Sequence, residues 1–351
     1  MSRFLASRFR ALKPYEPGEQ PQDRKYIKLN TNESPFELPL SVRQSVYEAS
    51  ERFRLYPDPQ FRQIRKTISG IYGVDEDEVT FSNGSDEALN FIFQSLCPDG
   101  VAFPDITYGF YPVFAALNGV DYKEIPLAAD FSINPKDYFG IGHAVVLANP
   151  NALTGMTLTL DDVSEVAERN KNHIVVVDEA YVDFGAESAV PLIRKHDNLL
   201  VVQTFSKSRF MAGLRLGVVF ADKELIRDLN TIRYSVNPYN VNSAALAAGN
   251  AILENEDYRK SCCGRIIENR EWTKAELANL GFEGTPSLAN FIFVKSNRIG
   301  GRELYLELKE KGILIRHFEN PRICQYNRIT IGSKDQMESL VAAIREILQR
   351  L

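Results

Sequence analysis

Short apolar runs alternate with helical patterns along the chain from about residue 78 onwards. The runs AVVLA, IVVV and LLVV are apolar throughout, whereas Leu89, Ile92, Phe93 and Leu96 recur at helical spacing. Strands that are apolar on both faces are typical of a parallel sheet that helices cover on both sides. The pattern therefore predicts an α/β fold with a mainly parallel sheet and helices on both faces.

The pattern changes near Asn237. An Ala-rich and then charged stretch predicts one long helix up to about residue 281, and the strand-like runs NFIFVK, ILIRHF and NRITIG follow it, separated or followed by helical patterns. These elements predict a smaller α+β domain at the C-terminus. We therefore divide the chain into an N-terminal segment, 1–44, a large domain, 45–245, and a small domain, 246–351.

The N-terminus carries apolar residues on one helical face, namely Phe4, Leu5, Phe9 and Leu12. They predict a short amphipathic helix that docks on the body of the protein and ends before Pro14. Three arginines and no acidic residue precede Glu16, which also fits a transit peptide, but the apolar core of a secretion signal is missing. The docked helix is the favoured interpretation, and we expect a cytoplasmic protein.

Composition excludes several classes of protein. The chain has 351 residues, 44% hydrophobic and 25% charged, which argues against disorder. Its net charge is −5 without a long basic block, so nucleic acid is not an expected partner, and no apolar run could span a membrane. The four cysteines form no C-x-x-C pair and the four histidines show no ligand spacing. We therefore expect a reducing compartment and no metal site.

Polar residues follow several of the predicted strands. Because ligands bind at the carboxyl ends of strands in an open α/β sheet, these residues are candidates for one shared cleft. In the first such segment, Ser85 and Asp86 open a predicted helix after Gly84. The free N–H groups at that helix start favour a phosphate, although plain N-capping explains the same residues. The segments concerned are 82–86, 104–108, 149–151, 178–181 and 204–207.

Two charged residues follow buried strands. Asp178 comes directly after IVVV, where a carboxylate requires a cation such as a protonated ring nitrogen of a cofactor or an arginine. Lys207 follows NLLVVQT. In a cleft its pKa would fall, and a neutral amine forms a Schiff base with an aldehyde; a lysine in a surface loop is the alternative.

Further residues complete the predicted cleft. Tyr108 and Tyr181 offer an aromatic face and a phenol, or else belong to the core, while Ser206 and Arg215 offer donors to a phosphate. A phosphate, an aldehyde, a ring nitrogen and an aromatic face together describe one molecule, pyridoxal 5′-phosphate. The order of these residues along the predicted sheet makes that cofactor the leading hypothesis.

The chain resembles the class I/II aminotransferases, which are fold-type I pyridoxal-phosphate enzymes, over nearly its whole length. The segment TFSKSRFMAGLRLG is similar to their lysine-bearing segment, and GSDEAL, ITYGFY, NPNALTG and VVVDEAY add to the resemblance. LKPYEPG, KLNTNESPF, LYPDPQ, NPYNVN and NRITIG resemble the histidinol-phosphate aminotransferase branch in particular. The resemblance implies that fold, that cofactor and the transfer of an amino group.

The resemblance also implies roles for individual residues. Lys207 would be the catalytic residue, which binds the cofactor covalently and moves a proton between substrate and cofactor. Asp178 would pair with the ring nitrogen, Tyr181 would hydrogen-bond the ring oxygen, and Tyr108 would stack on the ring. The cofactor phosphate would be held by the backbone amides of Ser85 and Asp86 and by the side chains of Ser206 and Arg215.

On the substrate side, the resemblance places Arg328 against the acidic group of the substrate, with Arg316, Tyr15 and Asn32 nearby. Tyr56, in LYPDPQ, would reach the cofactor phosphate of the neighbouring subunit. That arrangement implies a homodimer with shared active sites, in which the segment 1–44 packs against both the small domain and the partner. The expected partners are thus small-molecule substrates and a second copy of the chain.

One segment departs from the family pattern. The family has an asparagine directly before a proline where this chain has Ala152 and Leu153, in NPNALTG. Because that asparagine bonds the ring oxygen in the family, we expect Asn151 to be its nearest substitute here.

The resemblance implies an exchange between L-histidinol phosphate and 2-oxoglutarate, with imidazole acetol phosphate and L-glutamate as the other pair, in histidine biosynthesis. The alternatives are an aminotransferase for aromatic or other amino acids and a phosphothreonine-type decarboxylase. A non-catalytic regulator with this fold would carry an added DNA-binding domain, for which the two predicted domains leave no room.

Overall fold

The computed structural model describes residues 2–351. The strands are β1 (Ile27–Lys28), β2 (Val79–Ser82), β3 (Val101–Pro104), β4 (Tyr122–Ile125), β5 (Ala144–Ala148), β6 (Val175–Asp178), β7 (Leu199–Thr204), β8 (Gly217–Ala221), β9 (Phe282–Gly284), β10 (Phe291–Ser296), β11 (Ile313–Leu314), β12 (Arg316–His317) and β13 (Tyr326–Thr330). The α-helices are α1 (Leu40–Ser50), α2 (Arg62–Tyr72), α3 (Ser85–Ser95), α4 (Tyr111–Asn118), α5 (Leu160–Arg169), α6 (Lys223–Val236), α7 (Ser243–Leu253), α8 (Glu256–Asn279), α9 (Gly301–Glu310) and α10 (Lys334–Leu348).

Seven strands form the central sheet, in the order β2-β8-β7-β6-β5-β3-β4. The pairs from β7 to β4 are parallel, and only β8 runs against its two neighbours. Along β5, Ala144 and Val146 join the core on one face, while Val145 and Leu147 join the core on the other. This two-sided burial explains the uninterrupted apolar runs. The prediction of a mainly parallel α/β sheet is confirmed.

The antiparallel strand β8 decides where the lysine-bearing segment lies. Thr204 and Gly217 are paired residues of β7 and β8, and Phe205 N donates to Leu216 O at 2.9 Å. The segment between them therefore leaves the sheet and returns to it at the carboxyl end of β7. This places Lys207 at the ligand-binding edge of the parallel strands.

A second, antiparallel sheet in the order β12-β13-β10-β9 forms with α8, α9 and α10 the predicted smaller α+β part. The N-terminal segment packs with this part of the chain through a separate two-stranded sheet, in which Ile27 of β1 pairs in parallel with Ile313 of β11. Leu29 N also donates to Leu314 O at 2.8 Å. This pairing places the residues after β1 in the wall of the cleft.

Three sequence predictions are wrong in detail. The N-terminal amphipathic helix is absent from the described residues: a 3-10 turn covers Ser7–Phe9, and Phe4 is 82% exposed. The long helix is broken after Leu253, because α7 packs on α1 and α2 whereas α8 packs on the C-terminal part. The run ILIRHF forms two strands that belong to different sheets, β11 and β12.

Within residues 2–351, no helix has both the length and the apolar composition that crossing a bilayer requires.

Candidate functional site

A cavity of about 320 Å³, the inner cavity, lies where β6, β7 and the start of α3 meet. A larger cavity of about 770 Å³, the outer cavity, adjoins it. The inner cavity brings together these predicted residues: Ser85, Asp86, Tyr108, Asp178, Tyr181, Ser206, Lys207 and Arg215. The outer cavity adds Tyr15, Asn32, Arg316 and Arg328. Both cavities share five residues: Thr31, Tyr108, Ala152, Tyr181 and Lys207.

Lys207 stands at the junction of the two cavities. Its Nζ donates a hydrogen bond of 3.1 Å to the backbone oxygen of Thr31. Desolvation, followed by the nearby positive charge of Arg328, lowers the pKa of Lys207 to about 8. About a tenth of the amine is therefore neutral and nucleophilic at pH 7.

One end of the inner cavity is suited to an anion. Helix α3 begins at Ser85 after Gly84, and no side chain caps its first turn. The guanidinium of Arg215 lies beside it, 3.1 Å from Asp86 Oδ2 and 3.5 Å from Ser206 Oγ. A Cβ on Gly217 would lie 2.6 Å from Ser85 N, so only glycine lets β8 approach this closely. Free N–H groups and a guanidinium together favour a phosphate.

Asp178 ends β6, lines the inner cavity and is 4% exposed. Its Oδ2 accepts a hydrogen bond of 2.8 Å from the Tyr111 hydroxyl, and its Oδ1 accepts one of 3.3 Å from Ala180 N. Burial raises the pKa of Asp178 to about 6, although the bond from Tyr111 opposes the rise. No salt bridge within residues 2–351 neutralises this carboxylate.

Tyr111 was missed in the sequence. The available signal was its spacing from Tyr108, since residues three apart at a helix start lie on the same side. The fully buried Tyr111 hydroxyl meets Asp178, while the Tyr108 hydroxyl donates to Asp86 Oδ1 at 2.7 Å. The segment ITYGFY thus serves two carboxylates of the inner cavity.

Arg328, on β13, reaches the outer cavity from the C-terminal part. Its two terminal nitrogens donate to the backbone oxygens of Ala152 at 2.9 Å and Asn30 at 3.3 Å. Its Nε is buried and has no hydrogen-bond partner among the described residues, and burial lowers the pKa of the side chain. Arg316 lies nearer the surface, where it donates to the backbone oxygens of Glu16 and Pro17 at 3.2 and 3.3 Å.

The N-terminal segment supplies the remaining wall of the outer cavity. Tyr15 stacks on Phe110, with ring centroids 4.2 Å apart, and lies 6.2 Å from the ring of Tyr108. Asn32 donates from Nδ2 to the Tyr181 hydroxyl at 3.1 Å. Asn32 therefore touches a residue of the inner cavity as well.

Asn151 does not take the place that we expected for it. Its Oδ1 accepts from Leu153 N at 2.9 Å and Thr154 N at 3.1 Å, and its Nδ2 donates to Ile106 O at 3.0 Å. These bonds tie the side chain to its own turn and to the segment after β3, and it lines neither cavity. Ala152, which has no polar side-chain atom, faces the cleft instead.

Tyr56 also lies outside both cavities. It is 79% exposed and stacks on Tyr239 with ring centroids 4.3 Å apart. Its predicted contact with a neighbouring subunit stays a prediction.

Comparison with known proteins identifies the family. Residues 24–344 match the family described as aminotransferase class I and II. This chain belongs to that family. Histidinol-phosphate aminotransferase 1 of Bradyrhizobium diazoefficiens is 45% identical over 99% of the chain and 100% of the relative. The histidinol-phosphate aminotransferase of Brachyspira hyodysenteriae is 43% identical with the same coverage.

A solved structure agrees with the fold. It is described as histidinol-phosphate aminotransferase from Sinorhizobium meliloti in complex with pyridoxal-5′-phosphate, and it matches with a TM-score of 0.86. The match covers 93% of this chain and 92% of that one at 24% sequence identity. The resemblance to class I/II aminotransferases is thus confirmed for the family and for the fold.

Proposed function

We propose that the inner cavity binds pyridoxal 5′-phosphate and that Lys207 bonds covalently to its aldehyde. The residues present fit this group. The uncapped start of α3 and Arg215 suit its phosphate, and the buried carboxylate of Asp178, which forms no salt bridge within the described chain, suits a protonated ring nitrogen. When bound, this cofactor supplies an electron sink for the carbanion at the substrate Cα.

In this proposal the chain's own residues have separate tasks. Tyr108 covers the ring, and Tyr181 donates to its oxygen from the wall that both cavities share. Lys207 acts as general acid and base once its amine is released, and a pKa of about 8 suits that task at neutral pH. Its hydrogen bond to Thr31 O holds the amine at the junction of the cavities.

The proposed reaction moves an amino group between L-histidinol phosphate and 2-oxoglutarate. One observation carries it: Lys207 lines both cavities, so a substrate in the outer cavity meets the cofactor at the amine. Arg328 would grip the phosphate or carboxylate of the substrate, because a guanidinium fork fits both anions, and Arg316 would assist. The relatives that are 43% and 45% identical carry the name histidinol-phosphate aminotransferase, which supports this substrate.

We also propose a cytoplasmic homodimer with shared sites and the domain division 1–44, 45–245 and 246–351. An exposed set of large apolar side chains supports the dimer, since such groups seldom face water together on a monomer. The set surrounds the end of α1 and contains Tyr47, Phe53, Leu55 and Tyr56. A second copy of the chain would cover it.

A donor panel tests the function. The purified protein is loaded with pyridoxal 5′-phosphate and given 2-oxoglutarate with L-histidinol phosphate, phenylalanine, tyrosine or phosphothreonine. We expect glutamate formation to be fastest with L-histidinol phosphate by at least ~10-fold in kcat/KM, a difference of about 1.4 kcal/mol. A preference for phenylalanine would indicate an aromatic amino-acid aminotransferase instead. Release of CO2 from phosphothreonine would indicate a decarboxylase instead of an aminotransferase.

A further inference from the structure

The hydroxyl of the buried residue Tyr181 accepts a hydrogen bond from the side chain of Asn32, which is also buried. Asn32 Nδ2 donates to Tyr181 Oη at 3.1 Å, and both residues lie in the wall between the segment after β1 and the cleft. Asn32 is 1% exposed and adopts a left-handed backbone with φ of 57°. Its backbone oxygen also accepts from Asn290 Nδ2 at 3.0 Å, so its position is closely defined.

Thr330 determines which end of the Asn32 amide faces Tyr181. Thr330 Oγ1 accepts from Asn32 N and donates to Asn32 Oδ1, both at 2.9 Å. If the amide were reversed, the hydroxyl proton of Thr330 would lose this acceptor, and Thr330 is 2% exposed. A buried donor that is left without an acceptor destabilises the fold. The N–H end of Asn32 therefore points at Tyr181.

This orientation leaves the proton of Tyr181 free for the cavity. Burial raises the pKa of Tyr181, so the phenol stays protonated near neutral pH. Its oxygen already accepts from Asn32, and no acceptor for its proton exists among the described residues. The O–H bond can therefore turn only towards a ligand in the inner cavity or water.

Neither Asn151 nor Ala152 can donate a second hydrogen bond to a ring oxygen beside Tyr181. Ala152 faces the same wall without a polar atom, and the amide of Asn151 is already used by Leu153 N, Thr154 N and Ile106 O. A ring oxygen beside Tyr181 would thus depend on one hydroxyl.

We infer that Asn32 is a positioning residue that holds the Tyr181 hydroxyl as a hydrogen-bond donor to the ring oxygen of the cofactor. This inference rests on the proposed binding of pyridoxal 5′-phosphate, and it replaces the expectation that Asn32 serves the substrate side chain. The bond from Asn32 also polarises the phenol, because a hydroxyl that accepts a hydrogen bond donates more strongly.

The test uses Asn32→Asp, which keeps the shape of the side chain but removes its N–H. The carboxylate would accept the phenol proton and turn it away from the cavity. The measurement is the pH midpoint of the visible absorption band of the cofactor–lysine adduct. Donation to the ring oxygen lowers this midpoint, so we expect Asn32→Asp and Tyr181→Phe each to raise it by about 1 pH unit.

The double variant separates positioning from a simple charge effect. In the Tyr181→Phe background, Asn32→Asp should change the midpoint by less than about 0.3 pH unit, since coupled residues are not additive. An equal shift in both backgrounds, or no shift in either, would overturn the inference. Absence of any borohydride-stable label on Lys207 in the unmodified protein would instead refute the proposed cofactor.

Thr330 provides a matched pair that leaves Asn32 and Tyr181 unchanged. Thr330→Val removes the hydroxyl that orients the amide, so the midpoint should rise in the same direction as with Asn32→Asp. Thr330→Ser keeps the hydroxyl and should titrate like the unmodified protein. If both Thr330 variants titrate alike, the amide orientation does not reach Tyr181 and the inference fails.

Discussion

The Nζ atom of Lys207 lies 3.1 Å from the backbone oxygen of Thr31. Thr31 belongs to the segment after β1, and β1 is paired with β11 of the C-terminal part. Lys207, which follows β7, is thus held by a segment that pairs with the C-terminal part of the chain. This contact explains how residues that are far apart in sequence close around one amine.

Lys207 should be the sole attachment point of the cofactor. Reduction with borohydride followed by peptide mass spectrometry should find the label on the peptide that contains Lys207. Lys207→Ala should lower kcat by about 10³-fold or more, because it removes both the covalent anchor and the proton carrier. Lys66→Ala, on the exposed side of α2, should keep full activity. A label on another lysine would contradict the assignment.

Asp178→Asn should stabilise the cofactor-free protein while it disables the enzyme. Burial raises the pKa of Asp178 to about 6, so the folded state binds this proton more tightly than the unfolded state does. Stability from this group therefore rises as pH falls through 6, and at pH 7 the charged carboxylate costs about 2–3 kcal/mol. Urea unfolding at pH 7 should show a gain for the variant that shrinks towards pH 4. An unchanged or lower stability of the variant at pH 7 would mean that the ionised carboxylate of Asp178 does not destabilise the folded protein.

Arg328 and Arg316 should differ in importance. Arg328 is half-buried with a buried, unpartnered Nε, whereas Arg316 lies nearer the surface. Arg328→Ala should cost both half-reactions about 2–5 kcal/mol in kcat/KM, by the measure of a truncated buried charge pair. Arg316→Ala should cost less. Single-turnover kinetics with each substrate decide this, and loss of only the 2-oxoglutarate half would show that another residue holds the substrate phosphate.

Tyr56 should act across the proposed dimer. Mixing inactive Lys207→Ala with a Tyr56→Ala variant should restore part of the activity, because a hybrid dimer contains one intact site. Tyr56→Ala alone should weaken cofactor retention, measured by dialysis and absorbance. Full activity in a fraction that light scattering identifies as monomeric would contradict shared sites.

Asn151→Ala should change stability rather than the cofactor spectrum. The side chain makes two hydrogen bonds inside its own turn and a third to Ile106 O, and leaving their partners unpaired costs about 1–3 kcal/mol each at most. We expect a lower melting temperature and an unchanged absorbance titration. A shifted absorbance titration with unchanged stability would instead indicate that Asn151 contacts the cofactor.

The sequence by itself determined the sheet and the order of the candidate residues. Apolar runs buried on both faces predict a mainly parallel sheet, and the polar residues that follow its parallel strands must then lie at one edge. For this reason the sequence alone assigns Asp178 and Lys207 to one cleft, and both line the inner cavity. Arg215 lines it as well because it precedes the antiparallel strand β8, which starts at the same edge. Local pattern is sufficient here because strand burial and strand ends are local properties of the chain.

Tertiary structure alone decided the directions of side chains and the contacts between distant segments. Neighbours in NPNALTG have different surroundings, since Asn151 closes a turn while Ala152 lines the inner cavity. Asn32 meets Tyr181, 149 positions away, only because β1 pairs with β11. Such contacts depend on how separate elements pack, and no periodicity within a single segment encodes them.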